Sequence, residues 1–339
     1  MRVAVLPGDG VGPEVTAQAL RVLEWLPLDV ELVELPFGGA AIAETGEPLP
    51  AETLAACRDA DAVLLGAVGG PTWDDAPVRP EQGLLELRRA LDVYANLRPA
   101  RRGDVDLVVV RELVGGLYFG ARGTRCDGTV FDTCEYRPEQ VERVVRRAFE
   151  LARARSGSLV SVDKANVLDT SRLWRRVAEE IGRAYADVEL RHALVDSFAM
   201  ELVTAPERID VAVTENMFGD ILSDVAAAVT GGLGLAASAS LGDDGPGIFE
   251  PVHGSAPDLA GRGVANPAAM LRSLALLLEH ALDRRDLAHA LEAAVERALV
   301  AAPTRDLGGN ASTAAFGDAV LGLLDLRLAP DEEPWRVLS

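Results

Sequence analysis

Short apolar runs recur along the chain, and most end in a turn that opens a helix-like stretch. Arg2–Leu6 meets the turn Pro7–Glu14, and Asp61–Leu65 meets Gly66–Pro71. Leu159–Val162 delivers Asp163-Lys164-Ala165-Asn166, and Ile209–Val213 delivers Thr214–Asp224. Runs this short and this apolar fit buried strands, and parallel strands need crossovers of helical length between them. The alternation predicts an α/β chain built on a large, mostly parallel sheet. Further strands are predicted at Val30–Leu35, Val105–Val110 and Val188–Leu194. Helices are predicted over Gly83–Leu91, Pro138–Arg155, Ser171–Tyr185 and Asn266–His280, from Asp196 onward, and near 286–301 and 311–325. The glycine-, threonine- and aromatic-containing stretch Gly115–Tyr136 predicts a hairpin and a candidate oligomer contact. At 339 residues the chain has room for about two domains, and with no sharp linker they are expected to be interleaved in sequence.

A net charge of −20 argues against nucleic acid or an anionic membrane as partner, since both need a basic surface. It leaves room for an anionic small molecule held by a local arginine cluster. Met1–Leu6 runs straight into a glycine-rich turn, too short for a secretion signal, and no apolar run approaches the ~18 residues of a membrane helix. Three cysteines, Cys57, Cys126 and Cys134, show no metal-ligand spacing and read as reduced thiols of a cytoplasmic protein.

The chemistry concentrates first in Thr214–Asp224. Asp220 and Asp224 are four apart, which puts both carboxylates on one helix face. Met217, Phe218, Ile221, Leu222 and Val225 surround them, so a buried helix is expected. Buried carboxylates need a partner, and a hard divalent cation such as Mg²⁺ or Mn²⁺ takes oxygen ligands of this kind. A solvated acidic face is the alternative. Arg88, Arg98 and Arg111 fall at or near element ends and suit carboxylate recognition, although a single arginine is more often an ordinary ion-pair member. Lys164 directly follows a strand, where it is either solvated or held at a site. His253 alone reads more often as structural. Gly8, Gly10 and Gly12 fail the dinucleotide fingerprint, because Pro13 stands where its last glycine belongs. Close approach to a ligand and a plain tight turn both remain open there. A phosphoryl transferase would need a lysine or serine in that turn, and neither is present.

The ordered motifs resemble the isocitrate/isopropylmalate dehydrogenase family of β-decarboxylating dehydrogenases. They run from Leu6-Pro7-Gly8-Asp9-Gly10 through Asn96-Leu97-Arg98-Pro99, Tyr118-Phe119-Gly120, Val162-Asp163-Lys164 and Asn216–Asp224 to Glu250–Asp258 and Asp306-Leu307-Gly308-Gly309. The resemblance implies a two-domain α/β fold with a large mixed sheet and no Rossmann half. It implies a discontinuous cofactor-binding domain over 1–93 plus 232–339, and a middle domain over 94–231 carrying the dimer interface. It implies a homodimer with shared active sites, Lys164 and Asp196 coming from one subunit and Asp220 and Asp224 from the other.

By the same resemblance Asp196, Asp220 and Asp224 are metal ligands for Mg²⁺ or Mn²⁺. Arg88, Arg98 and Arg111 clamp the two carboxylates of a malate. Lys164 is the base and Tyr118 the acid. His253, Gly254, Ser255, Ala256, Asp258, Asn266 and Asp306 form the adenosine site of NAD, with Asp258 disfavouring a 2′-phosphate. Glu81, Leu84 and Leu85 match the positions that line the substrate side-chain pocket, and two leucines suit an isopropyl group. The implied reaction is NAD-dependent oxidative decarboxylation of 3-isopropylmalate to 4-methyl-2-oxopentanoate, in leucine biosynthesis. Homoisocitrate, isocitrate, tartrate and D-malate are the alternative substrates. A non-catalytic regulatory subunit would lack the lysine, the tyrosine or an aspartate, and all are present. One departure is a short connection between Arg98-Pro99 and Leu107, expected to be a trimmed surface loop. Leu326–Ser339 receives no assignment.

Overall fold

The computed structural model describes residues 1–326, so the unassigned tail lies, from residue 327, outside the described residues. In chain order the elements are β1 (Arg2–Gly8), α1 (Gly12–Trp25), β2 (Glu31–Glu34), α2 (Gly38–Thr45), α3 (Ala51–Asp59), β3 (Ala62–Ala67) and α4 (Pro80–Ala90). Then come β4 (Ala95–Arg102), β5 (Val105–Glu112), β6 (Arg122–Thr124), β7 (Val130–Asp132), α5 (Pro138–Ala154), β8 (Ser158–Asp163), α6 (Asp169–Gly182) and β9 (Glu189–Leu194). The rest are α7 (Val195–Thr204), β10 (Val211–Thr214), α8 (Asn216–Val229), β11 (Ala237–Leu241), β12 (Gly247–Pro251), α9 (Ala268–His280), α10 (Arg285–Ala301) and α11 (Thr313–Leu323).

The chain forms two compact units. Among the described residues Met1–Asp92 and the stretch from Gly231 to Leu326 make the first, and Val93–Thr230 makes the second. In the first unit the strands run β2-β1-β3-β12-β11, parallel except for the antiparallel β11–β12 pair. Val3, Val5 and Leu6 of β1 and Leu64 of β3 are completely buried. Helix α9 is buried along Ala268–Glu279, as its apolar surface on all sides requires.

The first glycine turn is packed against backbone. A Cβ on Gly8, Gly10 or Gly12 would stand 2.0, 2.0 and 2.1 Å from the carbonyl oxygens of Ala67, Ser255 and Pro7. Gly8 and Gly10 also hold positive φ, 70° and 59°, which glycine adopts without strain. Between them Asp9 accepts hydrogen bonds from the N–H groups of Gly39, Ala40 and Gly69, each at 2.9 Å. Of the two readings left open for this turn, the tight-turn one accounts for all three glycines.

In the second unit the order is β4-β5-β10-β8-β9. Only β4–β5 is antiparallel. One face of this sheet packs on α7 and α8 through Leu107, Val109, Val160, Val162, Phe198, Leu202 and Leu222. Burial of each such side chain contributes about 1.5–3 kcal/mol. The connection after Pro99 is trimmed to a two-residue turn exposed at the surface. β4 continues through Arg102 and pairs with β5 to Arg102↔Val105, leaving Gly103 and Asp104 as the turn. Antiparallel strands can close with two residues, so the short connection is a hairpin. The hairpin expected after Gly115 is formed by β6 and β7. Helix α8 is less buried than expected: Asn216, Gly219, Leu222 and Ser223 face inward, while Ile221 is 58% exposed.

Candidate active site

The parallel strands of the second unit deliver its polar residues to one edge. Thr214 is in register with both Arg111 and Val162, and Asp163 with Leu194. Arg111, Lys164, Asp196 and helix α8 therefore all emerge at carboxyl ends of neighbouring strands, where open α/β sheets bind ligands. Glu215 caps α8 by accepting from the N–H groups of Met217 (3.2 Å) and Phe218 (2.7 Å).

Arg98 and Arg111 converge on Asp220. Arg98 lies on β4, Arg111 on β5, and both are buried. Arg111 forms an ion pair with Asp220 and donates through Nε to Asn216 Oδ1 at 2.9 Å. Arg98 Nη1 stands 3.4 Å from Asp220 Oδ1 and 3.7 Å from Asp224 Oδ1, and donates to Ser223 Oγ at 2.7 Å. Its Nε donates to Asn96 Oδ1 at 2.6 Å. Guanidinium groups thus offset the two like charges on α8 within the chain. Burial, followed by the neighbouring charge of Asp220, still holds the Asp224 carboxyl above its ordinary range, with Arg98 opposing.

Tyr118 donates its hydroxyl to Asp220 Oδ2 at 2.9 Å. Burial first, then the Asp220 charge, push this phenol up to about 12, so it stays protonated at neutral pH. Lys164 Nζ donates to Asp196 Oδ1 at 2.6 Å, and this bond lowers the Asp196 carboxyl. Behind Lys164 the fully buried Asp163 takes two bonds from Arg175, both 2.8 Å, which anchors the turn. Among the described residues no three acidic, histidine or cysteine side chains gather as a metal site, so Asp196 does not join Asp220 and Asp224 within one chain. The set contains only oxygen donors, which suits Mg²⁺ or Mn²⁺. Asp196 and Asp224 are open to further ligands, with side chains 63% and 54% exposed.

In the first unit Glu81, Leu84, Leu85 and Arg88 share one face of α4, at helical spacing. Leu84 and Leu85 are half-buried and Glu81 is exposed. Arg88 is buried and donates to Glu250 Oε1 at 2.7 Å, while its buried Nε has no partner. His253 Nδ1 bonds the Gly254 carbonyl at 2.9 Å, which makes Nδ1 the protonated nitrogen. Its buried Nε2 has no partner, and burial lowers the ring's pKa. Asn266 Nδ2 donates to Asp306 Oδ2 at 2.9 Å. Ser255 is buried and its carbonyl accepts from Val11 N–H at 2.8 Å. Glu14 accepts from the N–H groups of Gly261 and Gly263, tying the loop 253–263 to α1. Gly254 and Asp258 are exposed on that loop, and Ala256 holds a positive φ of 39°. An orphaned ring nitrogen beside exposed backbone fits a ligand rich in hydroxyl and amine groups.

The sequence reading passed over Glu250, Asn96, Ser223 and Asn216, which hold the arginines. All four lie inside the motifs that carry the family resemblance, and Asn96 and Ser223 stand within two residues of Arg98 and Asp224.

The profile of the isocitrate/isopropylmalate dehydrogenase family matches residues 2–320. A 3-isopropylmalate dehydrogenase of Anaeromyxobacter dehalogenans is 52% identical, the match covering 94% of this chain and 98% of that protein. One of Bacillus subtilis is 49% identical, over 94% of this chain and 96% of that protein. The crystal structure of an isocitrate dehydrogenase from Methylococcus capsulatus superposes with a TM-score of 0.89 at 37% identity, covering 95% of this chain and 99% of that one. The chain therefore belongs to the isocitrate/isopropylmalate dehydrogenase family.

Proposed function

We propose that the protein catalyses NAD-dependent oxidative decarboxylation of 3-isopropylmalate to 4-methyl-2-oxopentanoate, a step of leucine biosynthesis in the cytoplasm. The observation that carries this reading is the convergence of Arg98 and Arg111 on Asp220 beside a protonated Tyr118. The names of the two relatives and the half-buried Leu84–Leu85 surface support the isopropyl substrate.

Arg98 and Arg111, with Arg88, would bind the two substrate carboxylates through paired N–H donors. Asp196, Asp220 and Asp224 would hold Mg²⁺ or Mn²⁺, and His253, Gly254, Ser255, Ala256, Asp258, Asn266 and Asp306 would hold NAD. When bound, NAD⁺ accepts the hydride of C2 and the cation draws electron density from the C2 oxygen. Lys164 would take the C2 hydroxyl proton, directly or through one water. The product is a 2-oxo acid with a carboxylate β to the carbonyl, which loses CO₂. Loss of CO₂ leaves an enolate, and Tyr118 would then deliver its proton to the enolate carbon.

The shared site calls for a homodimer, with Lys164 and Asp196 of one subunit serving Asp220 and Asp224 of the other. Exposed apolar side chains on α7 and α8, Met200 (69%), Val203 (62%) and Ile221 (58%), support an interface there. Among the described residues no helix is long and apolar enough to cross a membrane. Reduction of NAD⁺ with 3-isopropylmalate and Mg²⁺ tests the reading.

A further inference from the structure

Behind Arg111 runs a chain of buried polar groups that the proposed chemistry leaves unused. Asn216, fully buried, accepts from Arg111 Nε at 2.9 Å and donates through Nδ2 to the Gly115 carbonyl at 2.9 Å. The Asn216 backbone N–H donates to Tyr136 Oη at 3.0 Å. Tyr136 donates its hydroxyl to Glu112 Oε2 at 2.9 Å. Glu112, also fully buried, accepts from the N–H groups of Val114 (3.0 Å) and Gly115 (2.9 Å) as well.

The surroundings are shaped for this arrangement. A Cβ on Gly115 would stand 2.7 Å from Tyr136 Cε1, and one on Gly116 would stand 2.5 Å from the Tyr136 hydroxyl. The Trp174 ring packs edge-on against Tyr136, centroids 5.9 Å apart. A buried carboxylate and a buried amide are retained only where hydrogen bonds satisfy them, and apolar residues would fill the space at less cost. What the network does is orient. Asn216 occupies the Nε side of the guanidinium, which leaves Nη1 directed at Asp220, the acceptor of the Tyr118 hydroxyl.

We infer that Asn216, supported by Tyr136 and Glu112, is a positioning residue that fixes the Arg111 guanidinium and, through Asp220, the Tyr118 hydroxyl. This rests on the activity proposed above. It extends the working site to residues that touch neither substrate nor cofactor.

The test compares Asn216→Ala, Asn216→Asp and Tyr136→Phe with the parent, each with Mg²⁺ and NAD⁺, and determines crystal structures of the variants. Asn216→Ala raises the KM for 3-isopropylmalate about tenfold or more while the KM for NAD⁺ stays within about twofold. Asn216→Asp keeps an oxygen for Arg111 Nε and recovers most of that loss. Tyr136→Phe falls between them. In the crystals of Asn216→Ala and Tyr136→Phe, Arg111 has moved off Asp220. A fall in kcat with an unchanged substrate KM and an unmoved Arg111 reports only a smaller folded fraction and overturns the inference. So does an Arg111 that keeps its place in both variant crystals. A parent inactive on every malate would refute the activity instead, and the crystal comparison would still decide the positioning role.

Discussion

Gly219 of α8 lies directly against Arg111 of β5: a Cβ at 219 would stand 2.7 Å from Arg111 Cγ and 2.8 Å from Arg111 Cβ. Helix and strand can approach this closely only because the residue between them has no side chain. Gly219→Ala gains about 1 kcal/mol of helix propensity and loses about 1–3 kcal/mol to overpacking. The melting midpoint therefore shifts little, while the guanidinium is displaced. Calorimetry and steady-state kinetics should give a Tm within a few degrees of the parent and a kcat/KM for 3-isopropylmalate lower by about 10–100-fold.

Tyr118→Phe separates the proton donor from the scaffold. Asp220 loses one hydrogen bond but keeps Arg98 and Arg111, so stability falls by about 1 kcal/mol. Turnover falls by about 10²–10⁴ if the hydroxyl is the acid. A variant retaining more than about half the parent kcat would remove Tyr118 from that role.

Much of this arrangement was legible in the sequence, for physical reasons. Strands β1 and β3 are apolar through Val3–Leu6 and Ala62–Leu65 because a parallel sheet is covered on both faces, so period and length reveal them. Pro13, Pro138 and Pro267 marked the starts of α1, α5 and α9. Helices α2 and α3 went unread because they are short and weakly amphipathic, with Gly38-Gly39 opening one and Pro50 preceding the other. Strands β11 and β12 went unread because Ser238, Ser240 and Glu250 interrupt the apolar pattern, and those side chains are buried only through tertiary contacts. In the site, Asp220 and Asp224 were visible as a helical pair, but their arginine partners lie more than a hundred residues earlier for each ion pair. No local spacing encodes that meeting. It arises from the β5–β10 register, which sets Arg111 beside Thr214.

Stability should fall as pH rises through the weakly acidic range. Burial pushes the Glu112 carboxyl from 4.5 to about 7, against bonds from Val114, Tyr136 and Gly115 that lower it. Burial likewise pushes Glu279 to about 7, with Arg285 opposing. Below about pH 4.5 both groups are protonated whether the chain is folded or unfolded. Between about 4.5 and about 7 the unfolded chain binds fewer protons than the folded one, so the unfolding free energy decreases with pH. Each group contributes at most about 3 kcal/mol to that decline. Urea unfolding across this window should show a shallower decline for Glu112→Gln than for the parent. Equal slopes would mean that Glu112 ionises at its ordinary pKa.

The Leu84–Leu85 surface should discriminate by side chain. Leu84→Ser removes apolar surface on the α4 face shared with Glu81 and Arg88. The kcat/KM for 3-isopropylmalate should fall by about 10–200-fold, the range for losing apolar pocket contacts. D-malate lacks the isopropyl group, so its kcat/KM should stay within about threefold. Equal losses on both substrates would place Leu84 in the helix core and not against substrate.

The substrate and cofactor assignment is tested by the ratio of kcat/KM values for NADH formation, with Mg²⁺, on 3-isopropylmalate, isocitrate, homoisocitrate, D-malate and tartrate, repeated with NADP⁺. 3-Isopropylmalate with NAD⁺ should exceed every other pair by at least about tenfold, a difference of about 1.4 kcal/mol or more in transition-state binding. A higher value on isocitrate or homoisocitrate, or a preference for NADP⁺, would contradict it.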